Sequence, residues 1–482
     1  MDKELKALTA RNVSYNTIAT VTVSMLQFAT SILLARVLLP KDYGIVGFAQ
    51  ILTNFMMQFC DFGINGAIIQ KNEVDDLTVN TAFTLKAMLS VFVFAVIVLA
   101  APLSNHFMGQ QEIPTVIRVL SCNFLISVFT FLPQTMLTRD LDYKKLVVPQ
   151  TISVAISSII SITLAYNGFG FWSIVVGSIA TNLLNSVMLY AIKPLSFRFA
   201  FDKIIAGQLL RFGGSILIPG VIVFIIFNTD NFVIGTLKGA EQLGYYAIAF
   251  NWGSMVCVLM AGSFHKVLFP TFSKLQHDIP AMRKAYLTSV RYIAFLVVPV
   301  NLLLLLEGRE FLFHILGRGT DRWQPALVAF QLLCIYGVFR AVLEPLGNVI
   351  LGLGKPQLLK KAIYLVALIE IGLLYPAVKF YGIEGVAVAV TIAYISQYLI
   401  YLPIMKKEIN VLPGDMLKEV RTTIIAAIVM TVLLVCLRYV YSLTFLSMIV
   451  NSIIGIVVYC TLFGLLDNFR TYSEFRSLFK IT

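Results

Sequence analysis

Five basic and four acidic side chains lie inside long apolar runs of this chain, where each costs at least about 2.5–3.5 kcal/mol to bury in hydrocarbon. The bases are Arg36, Lys86, Arg118, Arg211 and Arg340; the acids are Asp61, Asp230, Glu344 and Glu370. Arg36, Arg118 and Arg211 sit toward the ends of their runs, from which a long side chain can reach the interface. Lys86 and Arg340 are deeper. Bases at such depth are the wrong sign for a cationic substrate and suit an anion. Arg340 and Glu344 stand four apart on one helix and can neutralise each other, and Asn348 continues that face. Glu370 has no basic neighbour at helical spacing. It is the first candidate for a coupling ion, H+ or Na+, with Asp61 and Glu344 beside it.

Uncharged polar residues recur at steps of three and four in the same runs. The first run carries Asn16, Thr20, Ser24, Gln27 and Ser31, and the second carries Gln50, Asn54, Gln58, Asp61 and Asn65. The fourth has Asn123, Ser127, Thr130 and Gln134; the fifth has Gln150, Ser153, Ser157 and Ser161. That spacing gathers each set on one helix face. Facing lipid, such groups would lose several kcal/mol each on the alkane reference, so the faces must turn inward. Packing between helices satisfies some of them, at about 0.6 kcal/mol apiece. Three or four converging faces exceed what packing needs, and they predict a hydrated cavity.

The elements that must position these groups are membrane helices. The 482 residues are 58% hydrophobic and only 13% charged, with a mean hydropathy of +0.85. A soluble fold is excluded. Apolar runs of roughly 20 residues number about fourteen, so the expected fold is all-α and polytopic. Basic residues cluster in alternate connections, with about 25 of the Lys and Arg on one side when both termini are cytoplasmic. The net charge of +12 is therefore an orientation signal, and no basic and aromatic interleaving suggests nucleic acid. The first run is longer than a signal-peptide core and reads as a retained helix. All six cysteines lie in apolar runs without CxxC spacing, which predicts buried thiols and no metal site. The inner connection from Phe269 to Tyr286 is expected to hold a short amphipathic helix, and that from Gly308 to Gln324 to be a solvated cap.

The chain is also duplicated. LLARVLLPKDYGIVGFA (33–49) recurs as FVIGTLKGAEQLGYYAIA (232–249) with one inserted residue. Phe131-Leu132-Pro133 recurs as Leu343-Glu344-Pro345, and the glycines from Gly168 to Gly177 recur around Gly382. Transporters are commonly built from such repeats. Gly44 and Gly244, at corresponding positions, are expected to serve tight turns and packing.

On LLARVLLPKDYGIVGFAQ, DFGINGAIIQKNE, NTDNFVIGTLKGAEQLGYYAIA, FRAVLEPLGNVILGLGKPQ and YGIEGVAVAVTIAY, the chain resembles the Wzx-like polysaccharide or lipid-linked oligosaccharide flippases, in the same superfamily as MATE transporters. The likeness runs to about residue 405. It implies two six-helix lobes around a central cavity, residues 1–203 and 204–405, followed by two further helices in 406–482. It implies carriage of undecaprenyl-pyrophosphate-linked oligosaccharides across the bacterial inner membrane for O-antigen, capsule or exopolysaccharide synthesis. The mechanism implied is alternating access, coupled to an ion gradient and using no cofactor. Cavity bases contact the substrate in this family, a role carried here to Lys86, Arg118, Arg211 and Arg340. Besides the lipid-linked substrate and membrane lipids, the polymerase and chain-length proteins of the pathway are the expected partners.

Two rivals make different demands. A MATE-like exporter of cations or drugs needs deep acids in excess of bases, the reverse of this set. A glycan polymerase or ligase needs a large outer loop with catalytic groups, whereas His314, Arg318, Asp321 and Arg322 occupy a connection of about 17 residues. No GxSxG, HExxH or P-loop spacing occurs, so an enzyme is not expected.

Overall fold

The computed structural model describes residues 3–71, 73–194, 198–440, 444–471 and 473, with the backbone alone described for 3–18, 261–267 and 439–440. Among the described residues 89% are helical and no strand forms, and thirteen long helices build the fold. The helices are α1 (Lys3–Ala35), α2 (Pro40–Asp61), α3 (Asp76–Ala100), α4 (Ile113–Arg139), α5 (Tyr143–Tyr166), α6 (Trp172–Ile192), α7 (Lys203–Gly253), α8 (Met255–Lys274), α9 (Ile279–Leu306), α10 (Leu327–Gly352), α11 (Pro356–Ile409), α12 (Pro413–Val440) and α13 (Phe445–Leu466). The chain is a multi-pass membrane protein.

Helices α7 and α11 have 51 and 54 residues, hence lengths near 80 Å at 1.5 Å per residue, against a hydrocarbon thickness of about 30 Å. Each bends into two arms at a glycine with φ in the left-handed half of the map, Gly239 (φ 85°) and Gly382 (φ 60°). Such backbone is nearly reserved to glycine, so these two residues divide each rod into two helical arms. The second arm of α7 is separated from α8 at Ser254, whose hydroxyl donates to Phe250 O at 2.6 Å, a back-bond of the kind that bends helices. The apolar run of residues 243–268, expected from its hydropathy to be one span, is thus two helical pieces.

The chain divides into two compact units, residues 1–244 and 245–482. In the first, Ile64, Ile68, Ala82, Leu85, Phe131, Leu132 and Leu209 form a buried cluster. Helices α5 and α6 close on small residues. The Thr181 hydroxyl donates to Ser157 Oγ at 2.6 Å, and a Cβ on Gly177 would lie 1.8 Å from Ser161 Oγ.

The two copies of the repeated segment meet inside this first unit. A Cβ on Gly44 would lie 1.6 Å from the carbonyl oxygen of Ala240, and one on Gly244 would lie 1.8 Å from that of Pro40. Positions 40 and 240, like 44 and 244, correspond in the repeat. The contact is therefore reciprocal, as in an isologous interface, and the Phe48 and Phe232 rings stack beside it at 5.7 Å.

In the second unit α9 is the hub. It packs with α12 and α13 through Phe295, Ala426, Met430, Tyr459 and Phe463, and the Tyr459 hydroxyl donates to Phe295 O at 3.1 Å. Two connections differ from expectation. No separate amphipathic helix lies between Phe269 and Tyr286. Helix α8 runs to Lys274, and α9 starts at once under an Asp278 cap that accepts from Ala281 N–H. The segment after α9 is no mere solvated cap, since Phe311, Leu312, Leu316 and Trp323 are buried and Phe311 stacks on Phe330. Its exposed part is confined to residues such as Arg318 and Asp321, because the apolar residues between the charges have a core to join.

Gly44→Ala and Gly244→Ala should each lower stability by about 1–3 kcal/mol, the usual cost of forcing extra atoms into a packed contact. Gly47, with open space around its Cα, is the control. Thermal unfolding in detergent should show a lower Tm for the first two and an unchanged or higher Tm for Gly47→Ala.

Candidate functional site

Helix α2 breaks at the DFGING sequence, and the break organises the base of the first unit. Phe62 (φ 39°) and Gly63 (φ 66°) are both left-handed, which starts a short helix, Ile64–Gln70. Gly63 is required where it stands, because a Cβ there would lie 2.9 Å from the Gly213 Cα of α7. Ending a helix inside a membrane protein frees carbonyls that lipid cannot satisfy. Side chains from α3 and α4 satisfy them. Lys86 Nζ donates to Cys60 O at 3.0 Å and to Asp61 Oδ1 at 2.6 Å. Arg139 donates to Ile68 O at 2.8 Å and Lys71 O at 2.6 Å. The Thr135 hydroxyl donates to Asn65 Oδ1 at 3.1 Å. The start of α3 is fixed in turn by Asp75, which accepts from Thr78 N–H. Hydrogen bonds from Thr78 hold the Asp75 carboxyl below its ordinary range.

Lys86 is 1% exposed, so its charge lies inside the first unit against the negative end of α2. Its partner Asp61 keeps half of its side chain exposed, at 49%. Arg118 on α4 and Arg211 on α7 are exposed. These three bases and Asp61 belong to the first unit, whereas Arg340, Glu344 and Glu370 belong to the second.

The polar faces differ from one another in a way the spacing did not show. Thr20, Gln27, Asn54 and Gln134 are exposed, and Ser24, Gln58, Asn123 and Ser127 are half-buried. The side chain of Asn16 lies outside the described residues. Asn123 Oδ1 accepts from Asn182 Nδ2 of α6 at 3.0 Å, which extends the amide surface onto a helix that sequence spacing had not flagged. The α5 face is different. Ser153, Ser157 and Ser161 are buried, and Ser157 and Ser161 face α6, so this row joins helices and lines nothing. Its small, regularly spaced serines resemble the wall residues in sequence, and only packing separates the two uses.

In the second unit Arg340 lies between two tyrosines of different helices. Its Nη1 donates to the Tyr336 hydroxyl at 2.9 Å, and its guanidinium carbon stands 5.8 Å from both the Tyr336 and Tyr394 ring centres. Ring faces stabilise a cation there. Glu344 is half-buried and Glu370 is buried on α11. Asn348 donates to Glu344 O at 3.2 Å, a local helix bond. Among the described residues no group of three or more His, Cys, Asp or Glu is placed to hold a metal ion.

The family described as polysaccharide biosynthesis protein matches residues 33–327. The chain is similar to the lipopolysaccharide biosynthesis protein WzxC of Escherichia coli (strain K12), with 23% identity over 401 residues, 81% of this chain and 78% of that protein. The fold is similar to that of the lipid II flippase MurJ in its inward closed conformation, with a TM-score of 0.76 at 14% identity over 94% of this chain and 99% of that one. It is less similar to an inward-facing multidrug resistance MATE family transporter of the MOP superfamily, with a TM-score of 0.58 at 16% identity over 82% and 98%.

Removing Asp61 leaves a buried lysine without its counter-charge, and removing Lys86 leaves Cys60 O without a donor, so the two substitutions should not add. A double-mutant cycle of Lys86→Met and Asp61→Asn, read by thermal unfolding, should give a coupling of about 0.5–3 kcal/mol. Strict additivity would show that the pair does not hold the break.

Proposed function

We propose that this chain, which belongs to the polysaccharide biosynthesis protein family, is a flippase that moves undecaprenyl-pyrophosphate-linked oligosaccharide units across the bacterial inner membrane for assembly of a surface polysaccharide. The observation that carries the proposal is the exposed face of amides, hydroxyls and arginines on membrane helices of the first unit. Thr20, Gln27, Asn54, Arg118, Gln134 and Arg211 are all exposed there. Against lipid that face would be prohibitively costly; against water and a glycan it matches its surroundings. Apolar side chains dominate elsewhere, as on α3, where Phe92 is 66% and Leu99 is 79% exposed.

The substrate divides along the same line. Its pyrophosphate and sugars need a polar path, and its prenyl tail need never leave lipid. Arg118 and Arg211 would meet the anionic head through bidentate hydrogen bonds, with Arg340 as a further contact held ready by Tyr336 and Tyr394. Asn123 and Asn182, with Gln27, Asn54 and Gln134, would exchange hydrogen bonds with sugar hydroxyls. Lys86 then acts by fixing the broken end of α2. Glu370 is the proposed ion-coupling residue, both termini would be cytoplasmic, and polymerase and chain-length proteins would act on the product. The excess of exposed bases over acids on this face disfavours a cation exporter.

Purified protein in liposomes should move a fluorescent pyrophosphate-linked oligosaccharide lipid between leaflets. Arg118→Gln, Arg211→Gln or Arg340→Gln should each slow it about tenfold if a transition-state contact of roughly 1.4 kcal/mol is lost. Glycan chains lengthening in the same vesicles, or transport of organic cations without lipid movement, would overturn the assignment.

A further inference from the structure

At the end of α9 in the second unit, three charged side chains meet that have no part in the proposed carrier function. Glu307 and Glu310 are 3% and 4% exposed. Arg438, from the last turn of α12, pairs tightly with Glu310, and its Nη2 stands 3.6 Å from Glu307 Oε2. That distance is too long for a hydrogen bond. Both carboxylate oxygens of Glu307 are buried without a donor, and Arg438 Nε is buried without an acceptor. Apolar rings close the surroundings, since the Cβ position of Gly308 would lie 3.0 Å from Phe330 and Phe330 stacks on Phe311.

The charges do not balance. Two carboxylates and one guanidinium leave a net charge of −1 where a low dielectric makes an uncompensated charge most costly. Other ionisable groups on the neighbouring elements do not redress it. Arg309, Arg318 and Asp321 are exposed, Arg322 is half-buried, and His314 packs on Phe313 and Phe445. One added proton makes the cluster neutral and turns an oxygen lacking a donor into a donor. A neighbouring carboxylate disfavours the charged form of a buried acid, so Glu307 is the place for that proton.

We propose that Glu307, Glu310 and Arg438 form a proton-binding site, in which a single proton on Glu307 neutralises the cluster and fastens α12 to the end of α9. Burial, first, and the Glu310 charge push the Glu307 carboxyl up from its ordinary value, while Arg438 opposes them. A glutamate whose native pKa lies above its unfolded value of about 4.3 stabilises the native state below that value. Its contribution is lost as pH rises through the native pKa. The site is independent of the flippase assignment and of Glu370.

The test uses the full chain in detergent and needs no substrate. Wild-type Tm should fall relative to that of Glu307→Gln as pH is raised from 5 to 9, because the glutamine keeps the neutral shape at every pH. Infrared spectra at neutral pH should show a carboxylic-acid carbonyl band that Glu307→Gln abolishes. Glu310→Gln, which removes the excess charge from the other side, should also flatten the pH dependence and lose the band, and it serves if the first variant does not fold. Parallel pH profiles for wild type and both variants, or a band unchanged in both, would overturn the proposal. A wild-type Tm that rises with Na+ at constant ionic strength, in place of responding to pH, would assign the site to a metal cation and overturn it equally.

Discussion

Hydrocarbon offers no hydrogen bonds, and every irregularity of this backbone has to be satisfied from within the protein. The break after α2 is the clearest case. Phe62 and Gly63 turn the chain, Gly213 makes room, and Lys86 and Arg139 supply the missing donors. Without those side chains the break would expose carbonyls at a depth where each costs several kcal/mol. With them, α2 can end early and present Asn54 and Gln58 on its remaining length. The local chemistry of one helix end thus sets where those amides stand.

The same constraint separates the charges by role. Lys86 compensates a helix terminus and one carboxylate, Arg139 compensates two carbonyls, and Arg438 binds a buried acid. Arg118 and Arg211 are exposed, and Arg340 donates to the Tyr336 hydroxyl and stands over the Tyr336 and Tyr394 rings. Depth in an apolar run does not by itself mark a ligand-binding charge. Partner and exposure do.

Much of the fold was legible because membrane helices declare themselves by length and hydropathy. The splits at Gly239 and Gly382 fell where the apolar runs paused, and the repeat around Gly44 and Gly244 marked a real contact. The pause at Ser254 was missed because a serine back-bond leaves no gap in hydrophobicity. The buried segment after α9 was read as a cap because its charges are closer together in sequence than its aromatic residues are conspicuous. Residue type and spacing singled out polar residues on α1, α2 and α4, of which Thr20, Gln27, Asn54 and Gln134 are exposed. They could not tell the serine row of α5, which packs on α6, from a wall, and they passed over Asn182, which has no periodic companions of its own strength. Pairing across 25 residues, as between Lys86 and Asp61, has no signature in a single sequence.

The central claim is that the exposed amide face of the first unit is wet within the thickness of the membrane. The most direct measurement places single cysteines at Gln27, Asn54, Gln134 and Asn182, and at Phe92 and Leu99 for comparison, in a chain whose six native cysteines are replaced. Each is then reacted in native membranes with a small charged thiol reagent. The account predicts rapid labelling at the four polar positions and little at the two apolar ones. Equal protection of all six would contradict it.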